Sequence, residues 1–250
     1  MKIRSILTKS EMLLNRILNR KPNTPNEVEK AEQIFYIQYL QPGMVAFDVG
    51  ANIGEVSLLF SRFVGSKGQV HSFECSPNTF KRLNEIVRIS NRKNIKQNCM
   101  CLSDEIGTAE LHVFDDEHAG WTTMANRPLQ QYGINIKPTS IEKVPTTTID
   151  AYCESHNIQQ IDLLKIDVEG AEYQVLKGAS RMMLEHRIGC VIFEFGQTTF
   201  DMGNDPGKLT QLIASKGYKI RNLVKGAPIF PGGESVATAQ FSMHICTPSP

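Results

Sequence analysis

The sequence lacks several features that would assign it to a specialised class of protein. No apolar run approaches the roughly 20 residues that a membrane span needs, and the first residues lack the uninterrupted apolar stretch of a signal peptide. The 27 Lys and Arg residues nearly cancel the 26 Asp and Glu residues, so no global field attracts nucleic acid or an anionic membrane. We therefore expect a cytoplasmic protein with no stable membrane insertion and no nucleic-acid partner.

Cysteine is present but lacks the spacing of a metal-binding or redox motif. None of the six cysteines belongs to a C-x-x-C pair, and five of them lie within or beside apolar segments. In such segments cysteine packs as a small hydrophobic residue. We therefore expect all six side chains to be reduced thiols.

The length and composition are those of one large soluble domain. The 250 residues are 41% hydrophobic and 21% charged, which suits a single α/β core. Residues 2–20 and 27–40 carry apolar side chains near helical spacing, so we predict an N-terminal helical extension over 1–40 and one domain over 41–250. We interpret the basic segment 2–20 as a helix packed on that domain, with a membrane-surface or substrate-covering helix as the alternative.

From residue 44 onward, short apolar runs alternate with helical patterns. This alternation is typical of a parallel sheet covered on both faces by helices. The predicted strands lie at 44–49, 69–74, 95–101, 161–167 and 189–195. The predicted helices lie at 54–63, 77–91, 149–156, 171–186 and 206–216.

The end of the chain departs from this alternation. The apolar segments 218–224 and 240–246 have no helical pattern between them, only a loop rich in proline and glycine, which predicts an antiparallel hairpin. A mostly parallel sheet with a C-terminal antiparallel hairpin is the Rossmann-like architecture of class I methyltransferases. A dinucleotide-binding sheet would contain parallel strands only.

A second departure from the alternation lies at about 103–148. We predict an insertion there, with extra strands near 109–114 and 141–147, that covers the binding site. The single tryptophan, Trp121, lies in its polar middle part. This side chain either closes over a substrate or anchors the insertion to the core.

The strongest local motif is an apolar strand that runs into a turn containing Gly50 and Gly54. Glycine allows a sharp turn and close approach to a ligand at the position where α/β sheets bind nucleotides. The dehydrogenase pattern G-x-G-x-x-G is absent, because Asn52 occupies its middle position. Asp48, at the strand end, would repel a pyrophosphate and attract the ammonium group of a methionine moiety. The motif favours S-adenosylmethionine over NAD, although Asp48 could simply cap the turn amides.

Two other strand ends carry candidate cofactor ligands. Glu74 ends the second predicted strand 24 residues after Gly50, close to the separation at which a carboxylate binds ribose hydroxyls. We therefore assign Glu74 to the ribose. Ser103 and Asp104 follow the third predicted strand, where they either accept from the adenine amino group or only terminate the strand.

The fourth predicted strand supplies the candidate catalytic groups. It ends on Asp167, and Glu169 starts the next turn, so two acids lie beside the expected methyl position. Transfer to an alcohol also requires a general base, for which Asp167, Glu169, His118 and Glu194 are candidates. We prefer Asp167 for orienting substrate or donor, and Glu169 and His118 as bases.

A divalent cation is an alternative use of the same acids. Asp167, Glu169 and Glu194 could bind Mg²⁺, which prefers oxygen ligands. Alternatively, Glu169 caps the next helix and Glu194 binds backbone amides. We assign no metal ligand.

Four segments together resemble the FkbM-type S-adenosylmethionine-dependent methyltransferases. They are FDVGANIG at 47–54, TTID at 147–150, LKIDVEGAE at 164–172 and LKGA at 176–179. The resemblance spans roughly 47–195, and the run KIDVEGAE is its most specific part. It implies S-adenosylmethionine as the cofactor and methyl transfer to oxygen on sugars, polyketides or other natural products. The residues that the family pattern would place around the methionine part are Asp48, Gly50, Asn52 and Gly54, with Glu74 on the ribose and Asp167 near the reaction centre.

The sequence thus predicts an O-methyltransferase that acts on a small hydroxylated molecule. One alternative is an NAD-type oxidoreductase, which the missing dehydrogenase pattern, Asp48 and the terminal hairpin disfavour. Another is a non-catalytic binding protein on the same fold, against which the intact glycine turn, Glu74 and Asp167 argue. The sequence leaves the oligomeric state open.

Overall fold

The computed structural model describes residues 27–115 and 117–249, so the segment 2–20 lies outside the described residues. The strands are β1 (Val45–Val49), β2 (Gln69–Phe73), β3 (Ile95–Asn98), β4 (Cys101–Leu102), β5 (Gly107–Val113), β6 (Ser140–Thr147), β7 (Ile161–Ile166), β8 (Ile188–Phe195), β9 (Tyr218–Asn222) and β10 (Ser242–Pro248). The helices are α1 (Glu27–Tyr39), α2 (Glu55–Val64), α3 (Pro77–Ser90), α4 (Ile149–Ser155), α5 (Glu172–Lys177), α6 (Ser180–Leu184), α7 (Gln197–Asp201) and α8 (Pro206–Ser215). Short 3₁₀ helices lie at Ala119–Trp121 and Leu129–Tyr132.

A seven-stranded sheet in the order β3-β2-β1-β7-β8-β10-β9 forms the centre of the protein. The first five strands in this order pair in parallel. Strand β10 pairs antiparallel with both β8 and β9. The predicted class I methyltransferase architecture, with its C-terminal antiparallel hairpin, is confirmed.

Apolar side chains cover both faces of this sheet, because successive residues of a strand point to opposite sides. Ala46 of β1 packs in the cluster that contains Tyr36 of α1 and Phe60 of α2. The next residue, Phe47, packs in the opposite cluster with Val175 of α5. Because both faces of the sheet are buried, polar groups can contact a ligand at the carboxyl edge of the parallel strands.

Strand β4 and the two strands of the predicted insertion form a second, small sheet in the order β4-β6-β5. The predicted extra strands correspond to β5 and β6. The predicted strand 95–101 was wrong as a single strand, because β3 joins the large sheet and β4 the small one. The predicted helix 171–186 was also wrong as one helix. It is divided at Gly178, where an added Cβ would lie only 2.0 Å from the carbonyl oxygen of Ser103.

The cysteine prediction requires a correction, because a disulfide joins Cys75 and Cys101. Cys75 follows β2, and Cys101 lies in β4. The fold brings their Cα atoms to 4.8 Å although 26 residues separate them along the chain, within the range that a disulfide spans. The free cysteines are Cys99, Cys153, Cys190 and Cys246. Sequence spacing alone could not reveal this pairing.

A helix that crosses a membrane must be both long and apolar. Across residues 27–115 and 117–249, no helix combines the length and the apolar composition that crossing a membrane requires.

Candidate active site

The glycine turn after β1 lies directly against the end of β7. Gly50 has a φ of +81°, and an added Cβ would lie 1.8 Å from the carbonyl oxygen of Asp167. The amides of Gly50 and Ala51 both donate to the carbonyl oxygen of Phe73, which fixes the turn to β2. Gly50 therefore allows both a left-handed conformation and a close contact with the Asp167 backbone. The predicted close approach of this turn to a ligand stays a prediction.

A cavity opens beside this turn, at the carboxyl edge of the parallel strands. Its wall combines the glycine turn, the segment after β2, the segment after β7 and part of the insertion. The lining residues are Gly50, Asn52, Glu74, Cys75, Thr79, Leu102, Leu111, Gly120, Thr122, Thr123, Met124, Asp167, Val168 and Glu169. The structure thus brings five of the predicted site residues together around one space: Gly50, Asn52, Glu74, Asp167 and Glu169.

Glu74 is a rigidly held carboxylate in this wall. Its Oε2 accepts from the amide of Asn52 at 2.9 Å, and its Oε1 accepts from the amide of Ser76 at 2.9 Å. Burial raises the pKa of Glu74 above its ordinary value, although these two amides oppose the shift. Each carboxylate oxygen keeps a second lone pair for a donor in the cavity.

Asp48 lies beneath the turn rather than in the cavity wall. Its side chain is fully buried, and its Oδ2 accepts from the hydroxyl of Ser57 at 2.6 Å. The ammonium of Lys165, its register partner on β7, lies 3.5 Å from Oδ1. The predicted direct contact with a methionine ammonium therefore stays a prediction, and the observed contacts place Asp48 in support of the turn.

Lys165 connects this buried carboxylate to the edge of the sheet. Its ammonium donates to Oδ2 of Asp167 at 3.0 Å. Burial opposes the charge of Lys165, but Asp167 and Asp48 outweigh it and raise its pKa. Glu32 of α1 adds a further favourable charge. Glu32 could not be predicted from sequence, because nothing in the pattern of α1 indicates that its side chain lies near Lys165.

Three acids converge where β7 and β8 end. One carboxylate oxygen from each of Asp167, Glu169 and Glu194 lies within 4.8 Å of the others. Partial burial opposes ionisation of Asp167, but the Lys165 ammonium outweighs it and lowers the pKa of Asp167. Burial and the charge of Asp167 raise the pKa of Glu194. Carboxylates this close need a shared proton or a bound cation between them.

Glu169 is the acid of this group that combines cavity contact with an unusual backbone. Its φ of +52° lies in the left-handed region, which residues other than glycine rarely adopt. Burial, followed by the charges of Asp167 and Glu172, raises the pKa of Glu169 to about 8, while Arg127 opposes the shift. Left-handed strain and a raised carboxyl pKa are both common at functional sites.

Several predicted site residues do not reach the cavity. Asp104 forms an ion pair with Lys177 at 2.7 Å, and Ser103 donates to Asp104 at 3.2 Å. His118 contacts Asp115 at 2.7 Å in a half-buried part of the insertion. Gly54 is the N-cap residue that precedes α2, and an added Cβ would meet Leu83 at 2.5 Å. None of these side chains lines the cavity, so their proposed roles gain no support from geometry.

The predicted insertion contributes part of the cavity wall, through residues that carry no sequence signal for this role. Gly120, Thr122, Thr123 and Met124 line the cavity. Trp121 instead packs edge-on against Phe114 and lies under the Arg127 guanidinium, with 5.8 Å to the ring centroid. The contacts of Trp121 are those of an anchor for the insertion.

Comparisons with known proteins identify relatives of this chain. The chain is similar to the 31-O-demethyl-FK506 methyltransferase FkbM of Streptomyces tacrolimicus, at 29% identity over 216 residues that cover 78% of this chain and 79% of that protein. It is also similar to the hexuronic acid methyltransferase AglP of Haloferax volcanii, at 28% identity over 173 residues that cover 68% of this chain and 61% of that protein.

A solved structure shares the fold. The methyltransferase FkbM from Methylobacillus flagellatus KT superposes with a TM-score of 0.50 at 16% sequence identity. The match covers 94% of this chain but spans only about half, 54%, of that structure. A model of the methyltransferase FkbM domain matches residues 48–220, which is more than half of this sequence. The chain therefore belongs to the FkbM methyltransferase family.

Proposed function

We propose that this protein transfers a methyl group from S-adenosylmethionine to a hydroxyl oxygen of a sugar or another hydroxylated natural product. The observation that carries the proposal is the arrangement of the cavity wall. A fixed carboxylate, Glu74, lies on one side of the glycine turn, and the acids Asp167 and Glu169 lie on the other. The names of the relatives, which refer to a demethylated natural product and a hexuronic acid, support an acceptor rich in hydroxyl groups.

The residues around the cavity fit S-adenosylmethionine. Gly50 lets the turn pack directly against the backbone of Asp167, where a Cβ would clash, and this contact sets the turn at the rim of the cavity. Glu74 offers carboxylate lone pairs to two ribose hydroxyls, and Leu102, Leu111 and Met124 offer apolar surface for an aromatic base. The negative charge of Asp167, whose pKa is lowered beside Lys165, favours a cationic ligand. When bound, the cofactor supplies a methyl group on a positively charged sulfur.

Glu169 is the group best suited to remove the acceptor proton. It lines the cavity, and its pKa of about 8 makes it a stronger base than an ordinary carboxylate. As the acceptor oxygen takes the methyl group, the hydroxyl proton passes to Glu169. Asp167 stays ionised beside Lys165 and orients the donor or acceptor. The insertion excludes water and holds the acceptor beside these acids.

Binding measurements test this proposal most directly. Isothermal titration of the purified protein with S-adenosylmethionine, S-adenosylhomocysteine and NAD should give saturable binding of the first two alone. A screen of hydroxylated sugars and natural products for methyl acceptance then identifies the substrate. Binding of NAD alone, or of none of the three, would overturn the proposal and favour an oxidoreductase or a non-catalytic protein.

Replacing Glu74 with alanine should weaken cofactor binding. Loss of charge-assisted hydrogen bonds, each contributing about 1.5–3 kcal/mol, predicts an increase of about 10- to 100-fold in the Kd for S-adenosylhomocysteine. Titration calorimetry measures this change. The matched control is Glu110→Ala, since Glu110 is an exposed residue of β5 outside the cavity and its loss should leave the Kd within about twofold. Equal affinity of wild type and Glu74→Ala would remove Glu74 from the ribose site.

The rate should depend on the ionisation of Glu169. A general base with a pKa near 8 acts only after losing its proton, so kcat should rise with pH and level off above about 8. Steady-state rates at saturating cofactor between pH 6 and 9 measure this profile. A flat profile over that interval would show that another group accepts the proton.

The free energy of unfolding should fall as pH rises towards 8, whereas kcat should rise. Folded Glu169 keeps a proton up to about pH 8, whereas the unfolded carboxyl loses it near its ordinary pKa of 4.5. The unfolded state binds fewer protons in this window, so this group makes the free energy of unfolding fall as pH rises from about 4.5 to 8. Urea denaturation at several pH values measures the slope. Glu169→Gln should reduce it, and an unchanged slope would contradict the assignment.

A further inference from the structure

The backbone around Glu169 is held in place from three sides. The hydroxyl of Thr123 donates to the carbonyl oxygen of Glu169 at 2.7 Å. Oε1 of Glu172 accepts from the two flanking amides, those of Val168 and Gly170, at 3.2 Å each. The carbonyl of Thr198 lies so close to Gly170 that an added Cβ would meet it at 2.3 Å. These contacts stabilise a left-handed conformation that glutamate alone would rarely adopt.

Thr123 differs from the other anchors because it belongs to the insertion. It is 1% exposed and lines the cavity. Its amide and carbonyl pair with those of His112 in β5. Its hydroxyl oxygen also accepts from the amide of Ala125 at 3.0 Å, which leaves the hydroxyl proton for Glu169. The bond to Glu169 is therefore directional and tied to the small sheet.

We propose that Thr123 is a positioning residue that holds the Glu169 backbone in its left-handed conformation and so sets the place of the Glu169 carboxylate beside Asp167 and Glu194. This inference rests on the proposed function, in which Glu169 accepts the acceptor's proton. It adds that the insertion lining the cavity also fixes the position of the proposed base, Glu169. With the insertion over the cavity, as in this structure, the Thr123 hydroxyl holds the backbone of the proposed base in place.

Substitution of the hydroxyl alone tests the proposal. Thr123→Val keeps the branched shape but removes the donor, so kcat should fall on the order of 10- to 100-fold, as expected when a catalytic group is displaced. The Kd for S-adenosylhomocysteine should change less than about threefold, because Glu74 and the glycine turn are untouched. Thr123→Ser keeps a hydroxyl and should restore most of the rate.

Thr139→Val provides the matched control. The hydroxyl of Thr139 also donates from the insertion to a backbone carbonyl, that of Val113, at 3.1 Å, but it does not line the cavity. Its loss perturbs the insertion without touching Glu169. If Thr139→Val lowers kcat as much as Thr123→Val does, the effect reflects general loosening of the insertion, and the positioning role is wrong.

A measurement independent of turnover separates this inference from the proposed function. Carbon-13 NMR of glutamate-labelled protein follows the titration of Glu169, with Glu169→Gln assigning the signal. The groups that affect this titration are Asp167, Glu172 and Arg127, together with the neighbouring Glu194. Displacement from this site in Thr123→Val should lower the midpoint from about 8 towards the ordinary 4.5. An unchanged midpoint overturns the inference even if methyl transfer is confirmed, and a shifted midpoint supports it even if no acceptor is found.

Discussion

Glu169→Gln is expected to lower kcat by about 10²–10⁴-fold, the contribution typical of a general base. Glutamine has the size of glutamate but cannot take a proton from the acceptor. The cavity contacts of Glu74 and Gly50 stay intact, so the Kd for S-adenosylhomocysteine should remain within about threefold. Single-turnover methylation of an identified acceptor, with titration calorimetry alongside, measures both quantities.

Glu110→Gln is the matched control for this substitution. Glu110 is an exposed residue of β5 outside the cavity, so the same chemical change there should leave kcat unchanged. If the Glu169→Gln enzyme retained the wild-type rate, Glu169 would not be the general base, and Asp167 or Glu194 would be the remaining candidates. A parallel loss of kcat and cofactor affinity would instead indicate that Glu169 contributes to binding.

Gly50→Ala is expected to lower the free energy of unfolding by about 3 kcal/mol or more and to abolish measurable cofactor binding. The left-handed conformation costs alanine about 1–2 kcal/mol. The new Cβ would also lie 1.8 Å from the Asp167 carbonyl oxygen, which is backbone and cannot rotate away. Overpacking of this kind typically adds about 1–3 kcal/mol. Urea denaturation followed by circular dichroism measures the loss.

Gly43→Ala separates the two causes. Gly43 has a similar φ of +96°, but nothing lies within 4 Å of its added Cβ. This variant should lose only the conformational part, about 1–2 kcal/mol, and should bind cofactor as the wild type does. If both variants lost the same free energy of unfolding, the close contact between Gly50 and the end of β7 would make no contribution to stability.

The predicted site residues that line one cavity are those encoded within one strand and its following turn. Gly50, Glu74 and Asp167 each end a periodic apolar run, and parallel strands place their carboxyl ends at one edge. Strand position alone therefore brings these residues together. The terminal hairpin was predictable for a similarly local reason, because the loop between its two strands is rich in proline and glycine and carries no helical pattern.

The parts that sequence could not predict depend on contacts between distant segments. Thr123 lies in an irregular stretch whose position is set by pairing with β5 rather than by periodicity. Asp104 has a suitable type and location for adenine, yet Lys177 binds it outside the cavity. Cys75 and Cys101 are joined only because the two sheets meet at their positions. No local pattern distinguishes these outcomes from their alternatives.

The burial of Lys165 determines how the site responds to the surrounding solution. Its side chain is 3% exposed, between a fully buried carboxylate and one at the cavity edge. Dissolved ions screen exposed charges over about 8 Å at physiological strength, but they cannot enter the space between packed groups. The electrostatic field around Asp167 is therefore generated by neighbours that the fold holds at constant distance. Under the proposed function, the attraction of this edge for the cofactor's positively charged sulfur would depend on the protein interior more than on the salt around it.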